Sequence, residues 1–148
     1  MHIYVDADAC PVKGIIERVA KEKKIGVTMV IDVNHILTSD YSEIITVSQG
    51  ADSVDLYLIN RVQKGDVVVS QDYGVASLAL GKGAKAISNS GLIFTEENID
   101  KLMFERFLYK KQRNSPKMKN HLPHARKRTR EDDEGFEKGL RRVLEGEF

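Results

Sequence analysis

Short unbroken apolar runs alternate with stretches whose apolar positions recur every three or four residues, and this alternation organises the first hundred positions of the chain. Ile3-Tyr4-Val5 is the first run. Val12, Ile15, Ile16 and Val19 then recur at helical spacing behind Pro11, a residue suited to the first turn of a helix. Gly26 introduces a second run, Val27 to Val33, rich in β-branched residues, and a βαβ unit is complete. After a loop from Asn34 to Ser42 the pattern predicts a strand at Ile44 to Val47 and a helix from Ala51 to Val62, with Val54, Leu58 and Val62 as its buried stripe. Lys64-Gly65-Asp66 turns the chain into Val67-Val68-Val69, and a run without polar alternation predicts a central strand covered on both faces. A helix from Gly74 to Leu80 is ended by Gly81 and Gly83, and Ala84 to Ile87 supplies one more strand. Asn98 to Gln112 reads as an amphipathic helix through Ile99, Leu102, Met103, Phe107 and Leu108. Arg113 to Thr129, with Pro116, Pro123 and many charges, reads as loop before a last helix over Asp132 to Leu144.

Strands alternating with helices predict an α/β fold, a three-layer sandwich with a mostly parallel central sheet. The 148 residues fit one domain spanning 1–148, long enough to bury a core without staples.

Charge changes the picture once it is divided along the chain. The net charge is +1, yet residues 110–130 contain nine Lys or Arg and no Asp or Glu, which leaves −8 on the remainder. An acidic body carrying a basic arm suggests a cation-gathering site beside a strip that attracts polyanions. The single cysteine, Cys10, excludes an intramolecular disulfide and is too little sulfur for a structural zinc site, as expected of a cytoplasmic protein. The first residues have neither a basic lead nor a long apolar stretch, which argues against secretion, and no apolar run approaches the length of a membrane span.

The candidate chemistry lies in the carboxylates. In a parallel sheet the carboxyl ends of the strands converge on one crevice, and Asp6 ends the first strand while Asp72 follows the Val67 to Ser70 strand. Asp8 stands two residues beyond Asp6, and Asp52 and Asp55 share one helical face away from the Val54/Leu58/Val62 stripe. Crowded carboxylates need a hard dication, and Mg²⁺ or Mn²⁺ held by Asp6, Asp8, Asp55 and Asp72 would suit hydrolysis of phosphodiesters. Each acid also has a plainer role open to it. Asp72 can cap the following helix, Asp8 the Pro11 helix, and Asp52 and Asp55 can simply favour a first helical turn.

With those residues in place, IYVDADACPVK, GADSVDLYLINRVQKGDVVVSQD and VASLALGKGAKAIS together resemble the YaiI/YqxD family of PIN-like bacterial proteins. The resemblance covers almost the whole chain. It implies a PIN-like α/β sandwich and a metal-dependent ribonuclease, in which Asp6, Asp52 or Asp55, and Asp72 occupy the acidic positions typical of PIN domains. Its expected partner is nucleic acid, RNA foremost, contacted by Lys13, Lys110, Lys111, Arg113, Arg126, Lys127 and Arg128; an oligomer is compatible with it. The sequence departs from the family pattern at Asn89-Ser90-Gly91, where relatives carry Arg-Gly, and in the basic stretch His124 to Arg130, where they are glycine-rich. Lys85, Arg113 or the basic arm are the candidates to replace that arginine.

Two other enzyme readings are weaker. The Asp6-Ala7-Asp8 spacing resembles the start of haloacid-dehalogenase phosphatases, but Cys10 stands where Thr or Val is usual. A cysteine phosphatase needs Arg six residues beyond its thiol, and Ile16 is there. His2, His35, His121 and His124 form no ligand set at this level, and Gly74 to Gly83 lacks the glycine and hydroxyl of a phosphate loop. The principal alternative to an enzyme is a non-catalytic nucleic-acid-binding or regulatory module that uses the basic arm.

Overall fold

The computed structural model describes residues 1–48, 50, 53–113 and 126–146. Six strands form one sheet: β1 (His2–Asp6), β2 (Gly26–Asp32), β3 (Glu43–Val47), β4 (Val67–Val69), β5 (Lys85–Ile87) and β6 (Ile93–Phe94). They lie in the order β3-β2-β1-β4-β5-β6, all parallel except the antiparallel β5–β6 pair. The helices are α1 (Lys13–Lys23), α2 (Ser53–Arg61), α3 (Tyr73–Gly81), α4 (Glu96–Arg113) and α5 (Arg130–Leu144).

The expected three layers are present because strand side chains alternate between two cores. Ile3, Val5, Val27, Met29, Ile31, Val67 and Val69 face α1 and α5. Val30, Val68 and Ala86 face the opposite way, against Leu58 and Val62 from the second helical segment, Val75, Ala76 and Ala79 of α3, and Ile99 of α4. Val67, Val68 and Val69 are all fully buried, as an unbroken β-branched run predicts. Leu58 and Val62 are fully buried and Val54 packs beside them, so the stripe expected for α2 forms.

Three features depart from the expected pattern. β6 is only two residues long, too short to carry a period-two signal. α4 starts two residues earlier than its apolar pattern, because Asn98 and Thr95 exchange side-chain-to-backbone hydrogen bonds, Asn98 N to Thr95 Oγ1 at 3.1 Å and Thr95 N to Asn98 Oδ1 at 2.8 Å. The same device starts α5 at Arg130, through Thr129 and Asp132.

The third is a correction to α4. Of the five apolar positions expected to be buried, Ile99 is in the core and Leu102 packs against it, whereas Met103, Phe107 and Leu108 are exposed, as are Phe104 and Tyr109. α4 packs chiefly on α3. Its 18 residues, about 27 Å at 1.5 Å per residue, outrun the nine of α3, about 14 Å, so the second half of α4 extends beyond its support. Lys110, Lys111 and Arg113 close this helix; residues 114–125 of the expected basic arm, with His121 and His124, lie outside the described residues.

α5 is seated by backbone-to-backbone approach. A Cβ on Gly139 would come within 2.5 Å of Gly91 O, and one on Gly91 within 2.4 Å of Gly135 O, so the turn after β5 rests directly on the helix. This contact brings residues 126–129 back to the carboxyl edge of the sheet.

Candidate functional site

The strand order reverses between β1 and β4, so connections leave these neighbouring strands in opposite directions and open a crevice at their carboxyl ends. Asp6, the last residue of β1, borders that crevice from one side, and Ser70 and Asp72 border it from the other. Ser70 is almost fully buried; its Oγ donates to Asp6 Oδ2 at 3.3 Å and accepts from Asp72 N at 3.0 Å. One hydroxyl therefore joins the two acids across the switch point.

Asp72 also caps α3. Its Oδ1 accepts from the amides of Gly74 (2.8 Å) and Val75 (3.2 Å). Asp55, in the first turn of α2, lines with Asp72 an open groove of about 370 Å³ whose remaining wall is apolar, including Leu56, Ile59 and Leu78. Burial, the charge of Asp55, and more weakly those of Asp8 and Asp72, push the Asp6 carboxyl up to about 6 against the opposing effect of the Ser70 hydrogen bond. Asp6, Asp55 and Asp72, from three separate elements, are thus close enough to feel one another. Asp52 lies outside the described residues. A cleft of about 700 Å³ runs between α1 and residues 38–41 and contains none of these acids.

Asp8 is turned toward β2. Its Oδ2 accepts from Asp32 N at 3.2 Å, and its Oδ1 lies 3.0 Å from His35 Nδ1. Asp32 Oδ1 accepts from Asn34 N at 2.8 Å, closing a turn that brings His35 back to within 3.0 Å of the same oxygen. Those two bonds, Asn34 N–H first, hold the Asp32 carboxyl below its ordinary range. His35, placed by the sequence only in a loop, thus meets two acids: its ring nitrogen and the two carboxylates converge within 4.8 Å. The sequence signal was Asp-x-x-His at a strand end, Asp32 to His35, which is visible only once that strand's end is known to adjoin Asp8.

Cations flank the crevice. Lys13 Nζ donates to Ala7 O at 3.3 Å, between Asp6 and Asp8 in the chain. Arg128 donates through Nη2 to Asn89 O at 2.8 Å and through Nε to Asp133 Oδ1 at 2.7 Å, which places a guanidinium at the turn after β5. Arg126 is paired with Asp132, and Lys127 is exposed beside it. Lys85 opens β5 at the amino edge of the sheet, where its Nζ donates to Val143 O at 3.2 Å. Cys10 is buried, its Sγ 3.8 Å from Asn89 Oδ1, and burial pushes its thiol up, away from nucleophilic character. Among the described residues no helix is long and apolar enough to cross a membrane.

Residues 4–146 match the family model described as "Uncharacterized BCR, YaiI/YqxD family". Curated relatives include a UPF0178 protein of Clostridium acetobutylicum, 57% identical over 144 residues, covering 97% of both chains. A UPF0178 protein of Ruminiclostridium cellulolyticum is 54% identical, covering 95% of this chain and 90% of its own, and one of Natranaerobius thermophilus is 45% identical, covering 97% and 96%. No solved structure matches.

Proposed function

The chain belongs to the YaiI/YqxD family, and from that premise we propose that it is a metal-dependent nuclease acting on RNA, with its reaction centre at the β1/β4 switch point. One observation carries this reading: Asp6, Asp55 and Asp72 come from three elements to one crevice, where burial first, and then the charge of Asp55 and more weakly that of Asp72, raise the Asp6 carboxyl. An all-oxygen donor set of this kind fits Mg²⁺ or Mn²⁺.

Asp6, Asp55 and Asp72 would hold the ion. When bound, it supplies positive charge to the phosphodiester oxygens and lowers the pKa of a coordinated water. Ser70 orients Asp6 by donating to Oδ2, which leaves Oδ1 directed elsewhere, while the α3 amides fix Asp72 through its Oδ1. Lys13 and Arg128, bonded to Ala7 O and Asn89 O beside the crevice, would receive phosphate, and Lys110, Lys111, Arg113, Arg126 and Lys127 would contact the rest of the backbone.

The preference for RNA rests on the overhanging half of α4. Phe104, Phe107 and Tyr109 are exposed beside Arg106, Lys110 and Lys111, a mixture of ring faces and cations suited to unpaired bases and their backbone. This same surface favours the second reading, a module that binds nucleic acid without cutting it. Incubation of the purified protein with labelled single-stranded RNA or DNA and Mg²⁺ or Mn²⁺ separates the two. Metal-dependent cleavage of RNA that is lost in Asp6→Asn, with salt-sensitive binding retained, is the expected result; binding without cleavage under either metal overturns the enzyme.

A further inference from the structure

We propose that Asp8, Asp32 and His35 form a second cation site, distinct from the switch-point acids, which takes a first-row transition dication of the zinc type. His35 Nδ1 stands 3.0 Å from Asp8 Oδ1 and 3.0 Å from Asp32 Oδ1. A ring nitrogen carries at most one proton, and the hydrogen bond it can make is with Asp32 Oδ1. Asp8 Oδ1 is shut off from solvent and accepts no hydrogen bond, although it points at the same spot. Two carboxylate oxygens therefore converge on a position where one proton can satisfy only one of them. An ion in place of that proton satisfies both.

The spacing suits such an exchange. Donors about 2.0 to 2.1 Å from a tetrahedral ion lie about 3.3 Å apart, close to the 3.0 Å that separates His35 Nδ1 from each carboxylate oxygen. Imidazole distinguishes this donor set from the all-oxygen crevice and directs it toward zinc rather than magnesium. His35 is 53% exposed, so solvent can supply the remaining ligand.

The framework is held independently of the ion. Ala7 N donates to Val30 O and Asp32 N to Asp8 Oδ2, which fastens the segment after β1 to the end of β2. His35 N donates to Asp32 O, and further along the loop Ser42 Oγ donates to Glu17 Oε2 at 2.8 Å. On binding, the Nδ1 proton passes to solvent or the ring adopts its Nε2–H tautomer, which frees the Nδ1 lone pair for the ion. Neither the site nor its test requires nucleic-acid cleavage.

The test is a zinc titration of the metal-free full-length protein by calorimetry, with nitrogen NMR of the histidine rings. Wild-type protein should take up zinc with a shift of His35 Nδ1. His35→Gln, a substitution in an exposed turn, should weaken uptake by more than the about 10- to 100-fold that an outer-shell partner is worth, and Asp32→Asn should weaken it as well. Asp6→Asn should leave the zinc-induced shift of His35 Nδ1 in place. Three results would overturn the site: no zinc uptake by the wild type, unaltered affinity in His35→Gln, or loss of zinc in Asp6→Asn with His35 Nδ1 unshifted.

Discussion

Ser70 Oγ donates to Asp6 Oδ2 and in the same geometry accepts from the amide of Asp72, so a single buried hydroxyl sets the orientation of one acid and the backbone position of another. Ser70→Ala removes both bonds and strands a backbone donor, at a cost of about 1 to 3 kcal/mol. The expected outcome is a fall in Tm together with weaker Mn²⁺ binding, checked by thermal melts with and without the ion. Unchanged Mn²⁺ affinity would mean that Ser70 serves folding alone.

Asp6 should make the metal-free protein less stable as pH rises. Its carboxyl titrates at about 6 in the native state against an ordinary 3.8, so the folded protein keeps a proton that the unfolded chain has already released. Its favourable contribution is complete below about pH 4 and is lost as pH rises through about 6. Urea melts across this range should show the decline. Asp6→Asn should flatten it, and excess Mg²⁺ should restore stability above pH 6.

At Asp72 two roles can be separated by choice of substitution. Asparagine also accepts from the Gly74 and Val75 amides, so Asp72→Asn should shift stability by only a few tenths of a kcal/mol, whereas Asp72→Ala should cost about 1 kcal/mol through the lost cap. Both should lose metal-dependent cleavage. Melting curves beside an RNA cleavage assay check the pair.

Gly139→Ala would ordinarily stabilise a helix interior by up to about 1 kcal/mol. Here the added methyl would meet Gly91 O at 2.5 Å, so the sign should reverse and stability should fall by about 1 to 3 kcal/mol. Loss of native hydrogen-exchange protection along α5 would report the displacement.

Phe107→Ser tests the exposed half of α4. A core phenylalanine would cost several kcal/mol, but this one is 59% exposed and its replacement should move stability by less than about 0.5 kcal/mol. Binding to single-stranded RNA should weaken by about 1 to 3 kcal/mol if a base stacks there. Fluorescence anisotropy at fixed salt gives the measurement.

Much of this architecture was legible in the order of residues. The Val67 to Val69 run announced a strand buried on both faces, and the Val54, Leu58 and Val62 spacing announced a helix with one apolar stripe; both follow from local periodicity, which a short window contains. The positions of Asp6 and Asp72 at strand ends were readable for the same reason. Phe107 and Leu108 misled because periodicity reveals that a helix has an apolar face and is silent on whether another element reaches that face.

The chain alone therefore determined its elements, their alternation and the acids that end β1 and follow β4. Tertiary structure decided which ends became neighbours. Strand order set β2 beside β1, bringing Asp32 and His35 to Asp8, and the Gly91–Gly139 contact carried Arg128 to the turn after β5. Neighbourhoods of this kind depend on pairing and packing between residues 24 to 48 positions apart, and no stretch of sequence short enough to show a period contains both partners.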